Sequence, residues 1–268
     1  MYVAHTQAHM WEEPPISGTH GSGTIFFSGC NLGCIYCQNH EISTVSGNTP
    51  VGEKCSPEQL VEKMLELEAQ GVHNISFVTG THFVPDIIAA LKIYRPSVPT
   101  VWNSGGYEEL AVVDALAPYI DIWLPDYKYA LTEPAEKYSR APDYPEKALA
   151  AIKRMRRHQP ENVIDDDGIM RRGMIIRHLV LPLNTRNSIA VLETLARELP
   201  GVPVSIMSQY TPAVTNTGFD ELSRRITVRE YDKVCACAER LGTDGFVQET
   251  TASRKSYIPD FLHKREND

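Results

Sequence analysis

The chain has 268 residues, a formal net charge of −8 and a sequence pI near 5.6. This acidic balance argues against a nucleic-acid-binding surface, so no nucleic-acid partner is expected. The first residues lack a basic region followed by an apolar one, and no apolar run approaches the ~18 residues of a membrane span. We therefore expect a cytoplasmic protein that has no membrane association.

Short apolar runs alternate with amphipathic segments along the chain. The apolar runs predict six strands, at 23–29, 74–80, 99–106, 120–129, 173–182 and 202–210, with a further short run at 245–249. The amphipathic segments predict helices at 56–71, 84–94, 107–118, 132–140, 145–158, 188–199 and 227–242.

The predicted strands are nearly continuous apolar runs, which is typical of parallel strands covered on both faces. A repeat of about six β-α units predicts an α/β sheet that is either curled into a partial barrel or doubly wound. The segment 158–173 is expected to be a solvated excursion between a helix and a strand. Because no low-complexity linker divides the sequence, we expect a single domain over residues 1–268.

Polar residues cluster directly after the predicted strands. In either architecture the carboxyl ends of the strands carry the ligand site, so these residues are expected to converge on one rim. They are Cys30–Cys37 after the first strand, Thr79–His82 after the second, Asn103–Gly106 after the third, Asp126 and Lys128 after the fourth, and Gln209 and Tyr210 after the sixth.

Three of the six cysteines lie in the stretch SGCNLGCIYCQN at positions 28–39. In a cytosolic protein, thiols stay reduced and serve as metal ligands, nucleophiles or core residues. Buried core thiols fit a glycine-containing loop poorly. Cys30, Cys34, Cys37 and His40 have the residue types of a tetrahedral zinc site, although structural zinc sites usually combine two chain segments. A four-iron cluster held by three thiolates fits better, because one iron then stays open for a ligand.

The Cys-x₃-Cys-x₂-Cys pattern, with the aromatic Tyr36 just before the third cysteine, resembles the radical S-adenosylmethionine superfamily. The resemblance implies a partial (β/α)₆ TIM-type barrel over about 20–250, with this loop after the first strand. It also implies a [4Fe-4S] cluster on Cys30, Cys34 and Cys37. The open iron would bind S-adenosyl-L-methionine (SAM), whose reductive cleavage yields a 5′-deoxyadenosyl radical that abstracts hydrogen from a substrate.

Further segments resemble a subfamily described by its similarity to pyruvate formate-lyase activating enzyme. They are WEEPPISG near the start of the sequence, FVTGTHFVP, WNSGGYE, LPDYKY and IRHLVLP. This likeness implies a glycyl-radical enzyme or a peptide as substrate, and a flavodoxin or ferredoxin-type electron donor. Two alternatives stay open. One is a radical enzyme that acts on a small molecule or a peptide, and the other is a non-catalytic iron–sulfur or zinc-binding protein.

The resemblance also assigns residues at the second and third strand ends. Thr79, Gly80 and Thr81 stand where the superfamily has a Gly-Gly-Glu segment that receives the amino group of SAM. Asn103 and Ser104 stand where the activating enzymes have an Asp-Thr-Asn-Gly segment, and Asn103 replaces the aspartate that helps to build a monovalent-cation site there. All five residues, together with Tyr36, are therefore candidates for cofactor binding.

The later strand ends add four candidates. Asp126 and Lys128 match the Asp-x-Lys of the activating enzymes and are the candidate catalytic and cofactor-binding pair, and residues two apart on an extended segment point the same way. Arg177 and His178 alternate faces of the fifth strand, so only one of them can point into a barrel. Arg177 and Gln209 complete the set of candidate cofactor ligands.

Overall fold

A computed structural model describes residues 1–43, 50–212 and 218–247. Its helices are α1 (Pro14–Ser17), α2 (His40–Ser43), α3 (Pro57–Glu68), α4 (Val84–Ile93), α5 (Leu110–Leu116), α6 (Thr132–Ser139), α7 (Tyr144–His158), α8 (Thr185–Glu198) and α9 (Val228–Leu241). Its strands are β1 (Tyr2–His9), β2 (Ser22–Phe27), β3 (Glu53–Lys54), β4 (Ile75–Val78), β5 (Thr100–Ser104), β6 (Ile122–Pro125), β7 (Val163–Ile164), β8 (Met170–Met174), β9 (Ile176–Leu179), β10 (Val204–Met207) and β11 (Gly245–Val247).

The central strands are parallel. β2, β4, β5, β6 and β8 follow one another in a single sheet, and β9, β10 and β11 form a second parallel set. An isolated parallel bridge between Asp126 and Arg177 continues the order from β6 to β9. The predicted α/β class is confirmed, with helices between successive parallel strands except between β8 and β9.

Local sequence signals account for where α3 begins. The Ser56 side chain accepts from the Gln59 backbone N–H, and the Gln59 side chain accepts from the Ser56 N–H, which forms the capping box expected there. Pro57 occupies the first helical position, where its missing N–H leaves no hydrogen bond unmade. The buried side chains of Leu60 and Met64 then fix this helix against the sheet.

The predicted fifth strand, at 173–182, is divided in two. Ile175 N–H donates to Trp123 O at 3.1 Å, whereas Ile176 N–H donates to Pro203 O at 3.0 Å. The chain therefore changes partner between these residues, from β6 on one side to β10 on the other. A continuous apolar run gives no sign of such a change.

Two further expectations need correction. The segment 158–173 is not simply an excursion, because β7 pairs antiparallel with the start of β8. Residues 2–9, for which no element was predicted, form β1, which pairs antiparallel with β2 along its length. Of the run at 245–249, positions 245–247 form β11, and positions 248–249 lie outside the described residues.

No helix in the described ranges is both long enough and apolar enough to cross a membrane. A single domain over 1–268 includes positions outside these ranges and stays a prediction.

Candidate active site

The carboxyl ends of the parallel strands border a cleft of about 1170 Å³, including its open mouth. Two groups of lining residues carry its chemistry. The first is the thiol loop, residues 30–37, which contributes three free cysteines. The second is the charged cluster, which consists of Glu12, Asn103, Asp126, Lys128 and Arg177.

The thiol loop leaves β2 through a glycine that no other residue could easily replace. Gly29 has a φ of +89°, and a Cβ there would lie 3.1 Å from His82 Nε2. Within the loop, Ile35 N–H donates to Tyr138 O at 2.9 Å. The loop is thereby tied to α6.

Tyr36 lines the cleft but is only 5% exposed. Its hydroxyl lies 2.8 Å from the Tyr129 hydroxyl, and its ring meets those of Tyr138 and Tyr210 edge-on. Next to the loop, the Gln38 side chain donates to Gln209 O at 3.0 Å and so joins the loop to the end of β10. These aromatic and amide contacts hold the loop in place.

Burial raises the pKa of two of the three thiols. It raises the pKa of Cys30 to about 12, and the neighbouring Cys34 adds to the effect. Burial also raises the pKa of Cys34, although the nearby Lys128 ammonium opposes the shift. Both groups are protonated at neutral pH, so a metal that binds here must displace protons.

Arg177 is the centre of the charged cluster. Its Nε lies 2.9 Å from Asp126 Oδ1, and its two terminal nitrogens lie 2.8 Å from Glu12 Oε2 and 2.5 Å from Asn103 Oδ1. Asn103 returns a hydrogen bond to Glu12 at 3.1 Å, and Lys128 Nζ lies 2.5 Å from Asp126 Oδ2. Arg177 therefore points into the barrel. Because side chains alternate faces along a strand, only one of Arg177 and His178 could do so.

His178 takes the opposite direction. It is fully buried, and its ring nitrogens lie 2.9 Å from Tyr127 O and 2.8 Å from Ser188 Oγ. Burial lowers its pKa to about 4, so the ring is neutral at physiological pH. His178 is a structural residue between β9 and α8.

Asp126, Lys128 and Arg177 hold one another in their ionised forms. Burial alone would raise the pKa of Asp126, but Arg177 and Lys128 outweigh it and hold this pKa below its usual range. Burial alone would lower the pKa of Lys128, but the Asp126 carboxylate outweighs burial and raises this pKa above its usual value. For Glu12, burial dominates and raises the pKa despite the contact with Arg177. A ligand therefore meets a preformed, mostly paired set of charges.

The chain after β4 turns in an unusual way. Thr79 lines the cleft with a φ of +57°, which is rare for a β-branched residue. Gly80 turns away from the cleft, because a Cβ there would meet Ile87, Trp102 and Phe27. The Thr81 hydroxyl donates to the buried Glu108 at 3.1 Å. Gly80 and Thr81 thus do not line the cleft, contrary to the sequence-based expectation.

The segments after β5 and β6 are held together by one tyrosine. The Tyr144 hydroxyl donates to Gly105 O at 2.8 Å or Asp126 O at 2.9 Å, and it accepts from Lys128 N–H at 2.9 Å. Gly106 has a φ of +74°, and a Cβ there would lie 2.3 Å from Asp126 O. This close approach aligns Ser104 with Asp126 and Lys128 on the cleft.

Apart from Gly80 and Thr81, every candidate catalytic, cofactor-binding or metal-binding residue lines this cleft: Tyr36, Thr79, Asn103, Ser104, Asp126, Lys128, Arg177, Gln209 and the three cysteines. Of the other residues expected at this rim, His82, Gly106 and Tyr210 do not line the cleft. Sequence reasoning missed His9, Trp11 and Glu12, which also line it. Burial and then Arg177 lower the pKa of His9 to about 4. The two adjacent glutamates in WEEPP could have indicated Glu12 as a candidate site residue. Nothing in the nearby sequence indicated its distant partner, Arg177.

The class of protein follows from a parallel α/β barrel with a three-cysteine loop at its first strand end. A family model described as the radical SAM superfamily matches residues 24–170, which is more than half of the chain. The chain belongs to the radical SAM superfamily. An uncharacterized protein of Methanocaldococcus jannaschii is 29% identical over 248 residues, which is 91% of this chain and 68% of that protein.

Solved structures agree on the fold. A spore photoproduct lyase mutant with a dinucleoside spore photoproduct superposes with a TM-score of 0.58 at 11% identity, over 92% of this chain and 79% of that chain. The FeFe-hydrogenase maturase HydG from Carboxydothermus hydrogenoformans gives a TM-score of 0.57 at 17% identity, over 88% of this chain and 56% of that chain. At these identities the likeness shows the fold alone, and it confirms the partial TIM-type barrel.

Members of this superfamily use a [4Fe-4S] cluster and SAM, and membership supports an enzyme that cleaves SAM by radical chemistry. The donor set here fits such a cluster, because three free thiols line one cleft. In such a cluster each thiolate binds a different iron, so the three sulfurs need not converge on one ion position.

Proposed function

We propose that this chain is a radical SAM enzyme of the activating-enzyme-like kind, which abstracts hydrogen from a glycine of a partner protein. The observation that supports it is the presence of the thiol loop and the charged cluster in one cleft at the strand ends. When bound, a [4Fe-4S] cluster supplies the electron that cleaves SAM to methionine and a 5′-deoxyadenosyl radical, which takes a hydrogen atom from the substrate.

Cys30, Cys34 and Cys37 are the proposed cluster ligands. Asp126 and Lys128 are the proposed groups that orient SAM, and both are largely but not completely buried, with side chains 16% and 19% exposed. A carboxylate has about four lone-pair sites, so Asp126 can accept from a ribose hydroxyl or an ammonium in addition to its two protein partners. The Lys128 ammonium has further donors for a carboxylate.

The remaining polar contacts would come from neighbouring strand ends. Thr79, Asn103 and Ser104 offer hydroxyl and amide groups to the cofactor, and Gln209, which also lines the cleft, is a further proposed cofactor ligand. Tyr36 acts as an anchor for the thiol loop. Gly80 and Thr81 serve packing in this proposal, because their contacts are with the core.

A peptide substrate suits a cleft that opens to solvent. Trp11 lines the cleft, is 54% exposed and would offer an aromatic surface to such a peptide. A flavodoxin or ferredoxin-type protein is the proposed electron donor. The alternative substrate, a small molecule, would occupy the same cleft.

The experiment uses anaerobically prepared, iron-loaded protein with dithionite and SAM. We expect slow formation of 5′-deoxyadenosine and methionine without substrate, and faster formation with the right one. The Cys235→Ala variant, altered on α9 away from the cleft, should behave like the wild type. If reduced, iron-replete protein forms no SAM cleavage product, the chain is a non-catalytic iron–sulfur protein.

An isotope distinguishes the two substrate classes. A glycyl-radical enzyme with glycine deuterated at Cα should transfer deuterium to 5′-deoxyadenosine and gain a glycyl radical signal in electron paramagnetic resonance. If SAM is cleaved but no deuterium is transferred from any such partner, the glycine proposal fails and the small-molecule or peptide alternative replaces it.

A further inference from the structure

Each sulfur of the thiol loop accepts a hydrogen bond from the protein. The donors differ in kind: one is a backbone N–H and two are serine hydroxyls. The distances are 3.3 Å from Leu32 N to Cys30 Sγ, 3.0 Å from Ser139 Oγ to Cys34 Sγ, and 3.4 Å from Ser43 Oγ to Cys37 Sγ.

Ser139 differs from Ser43 in its surroundings. It is the last residue of α6, 105 positions from Cys34 in sequence, and it is only 3% exposed. Ser43 is only partly buried, and its distance to sulfur is longer. A hydrogen bond in a dry environment is electrostatically stronger, so the contact from Ser139 should have the larger effect.

A second hydroxyl supports Ser139. The Tyr129 hydroxyl lies 2.8 Å from Ser139 Oγ, and Tyr129 is fully buried. A thiolate can only accept a hydrogen bond, so once Cys34 is ionised Ser139 must donate to it. The single hydroxyl proton of Tyr129 can go either to Tyr36 or to Ser139, each 2.8 Å away. When it goes to Ser139, the resulting chain of donors polarises each member.

We propose that Ser139 sets the reduction potential of the cluster bound at Cys34, acting as a positioning residue through the cysteine sulfur. The inference rests on the proposed function, since it takes Cys34 as a cluster ligand. One-electron reduction adds negative charge at the sulfurs, and a hydrogen bond to an ionised acceptor is the stronger kind. Hydrogen bonds to sulfur are among the groups that set cluster potentials. The Ser139 hydroxyl therefore favours the reduced state and raises the potential.

The test is a mediated redox titration of iron-loaded protein, followed by electron paramagnetic resonance of the reduced state. For Ser139→Ala we expect the reduced-to-oxidised ratio at a fixed potential to fall about tenfold, which is about 59 mV in a one-electron couple. Iron content should not change. Tyr129→Phe should lower the potential by less, Ser43→Ala should have a smaller effect than Ser139→Ala, and Ser139→Thr should retain most of the wild-type potential.

An unchanged potential in fully iron-loaded Ser139→Ala overturns this inference and leaves the proposed function standing. A wild-type protein that holds no cluster overturns both. If Ser139→Ala does not retain iron, Tyr129→Phe decides: a lowered potential supports the role of Ser139, and an unchanged one overturns it.

Discussion

The thiol loop and the charged cluster line one cleft, but they differ in how complete they are. In the charged cluster, Arg177 contacts Asp126, Glu12 and Asn103 through different nitrogens, and Lys128 pairs with Asp126. These groups find their ion-pair and hydrogen-bond partners within the folded protein, without a ligand. The thiol loop instead presents free sulfurs, two of them with pKa values raised first by burial.

This difference indicates that the charged cluster stabilises the fold, whereas the thiol loop serves to bind a ligand. Buried charges are costly unless they are paired, so the charged cluster must stay intact for the barrel to remain stable. Cys30 and Cys34 cost little when protonated, and their ionisation awaits a metal. Loss of a thiol should therefore abolish metal binding and spare the fold, whereas loss of a charged group should damage the fold itself.

The largest expected effect is the loss of the cluster in Cys34→Ala. Two thiolates cannot hold the cubane in place of three, so iron content and brown colour should disappear completely. The unfolding temperature of the metal-free protein should stay close to that of the metal-free wild type. Iron analysis, absorbance and thermal denaturation measure these quantities, and Cys235→Ala is the control that keeps its iron. Full iron content in Cys34→Ala would refute the assignment of this ligand.

The second prediction is a large loss of stability in Arg177→Met. Removing one partner from a buried, ion-paired network leaves the others uncompensated, which typically costs about 3–5 kcal/mol. Arg154→Met is a matched control, because Arg154 pairs with Asp114 near the surface, where an ion pair contributes about 0–1 kcal/mol. Urea denaturation of both variants gives the comparison.

A second variant identifies the cause of that loss. Arg177→Met combined with Glu12→Gln removes one of the uncompensated carboxylates and should recover part of the lost free energy of unfolding. If the double variant is no more stable than Arg177→Met, the loss comes from packing around the guanidinium and not from charge.

The same contrast explains what the sequence could and could not predict. The thiol loop was predicted because its information is local: three cysteines and an aromatic residue lie within eight positions. The strand-end positions of Asp126, Lys128 and Asn103 followed from the β-α order. The partner of Arg177 could not be predicted, because Glu12 lies 165 positions away and reaches the cleft through a segment next to the unpredicted β1.

The positions of Gly80 and Thr81 have a backbone origin. The resemblance gave Thr79, Gly80 and Thr81 a shared role in cofactor binding at the strand end. The left-handed φ of Thr79 ends the extended conformation of the strand, and the next two residues contact the core. Propensity gives no warning of it, since β-branched residues rarely adopt this conformation.

Thr79 also gives the smallest predicted effect, in which stability and ligand affinity change in opposite directions. A non-glycine residue at positive φ destabilises the folded state by about 1–3 kcal/mol, and glycine removes this strain. Glycine also loses more chain entropy on folding, which offsets roughly 0.5–1 kcal/mol of the gain in stability. Thr79→Gly should therefore raise the free energy of unfolding by about 1 kcal/mol. The lost hydroxyl should weaken SAM binding by about 0.5–1.5 kcal/mol, the range of an ordinary hydrogen bond. Denaturant unfolding and calorimetry measure the two changes.

Leu183 is the matched control, because it has the same φ of +57° but is 70% exposed and does not line the cleft. Leu183→Gly should gain a similar stability and leave SAM affinity unchanged. If the two variants bind SAM equally well, the Thr79 hydroxyl does not contact the cofactor, and its strained backbone serves only to turn the chain. If only Thr79→Gly loses affinity, the Thr79 hydroxyl contributes to SAM binding, and the strained turn places it on the cleft.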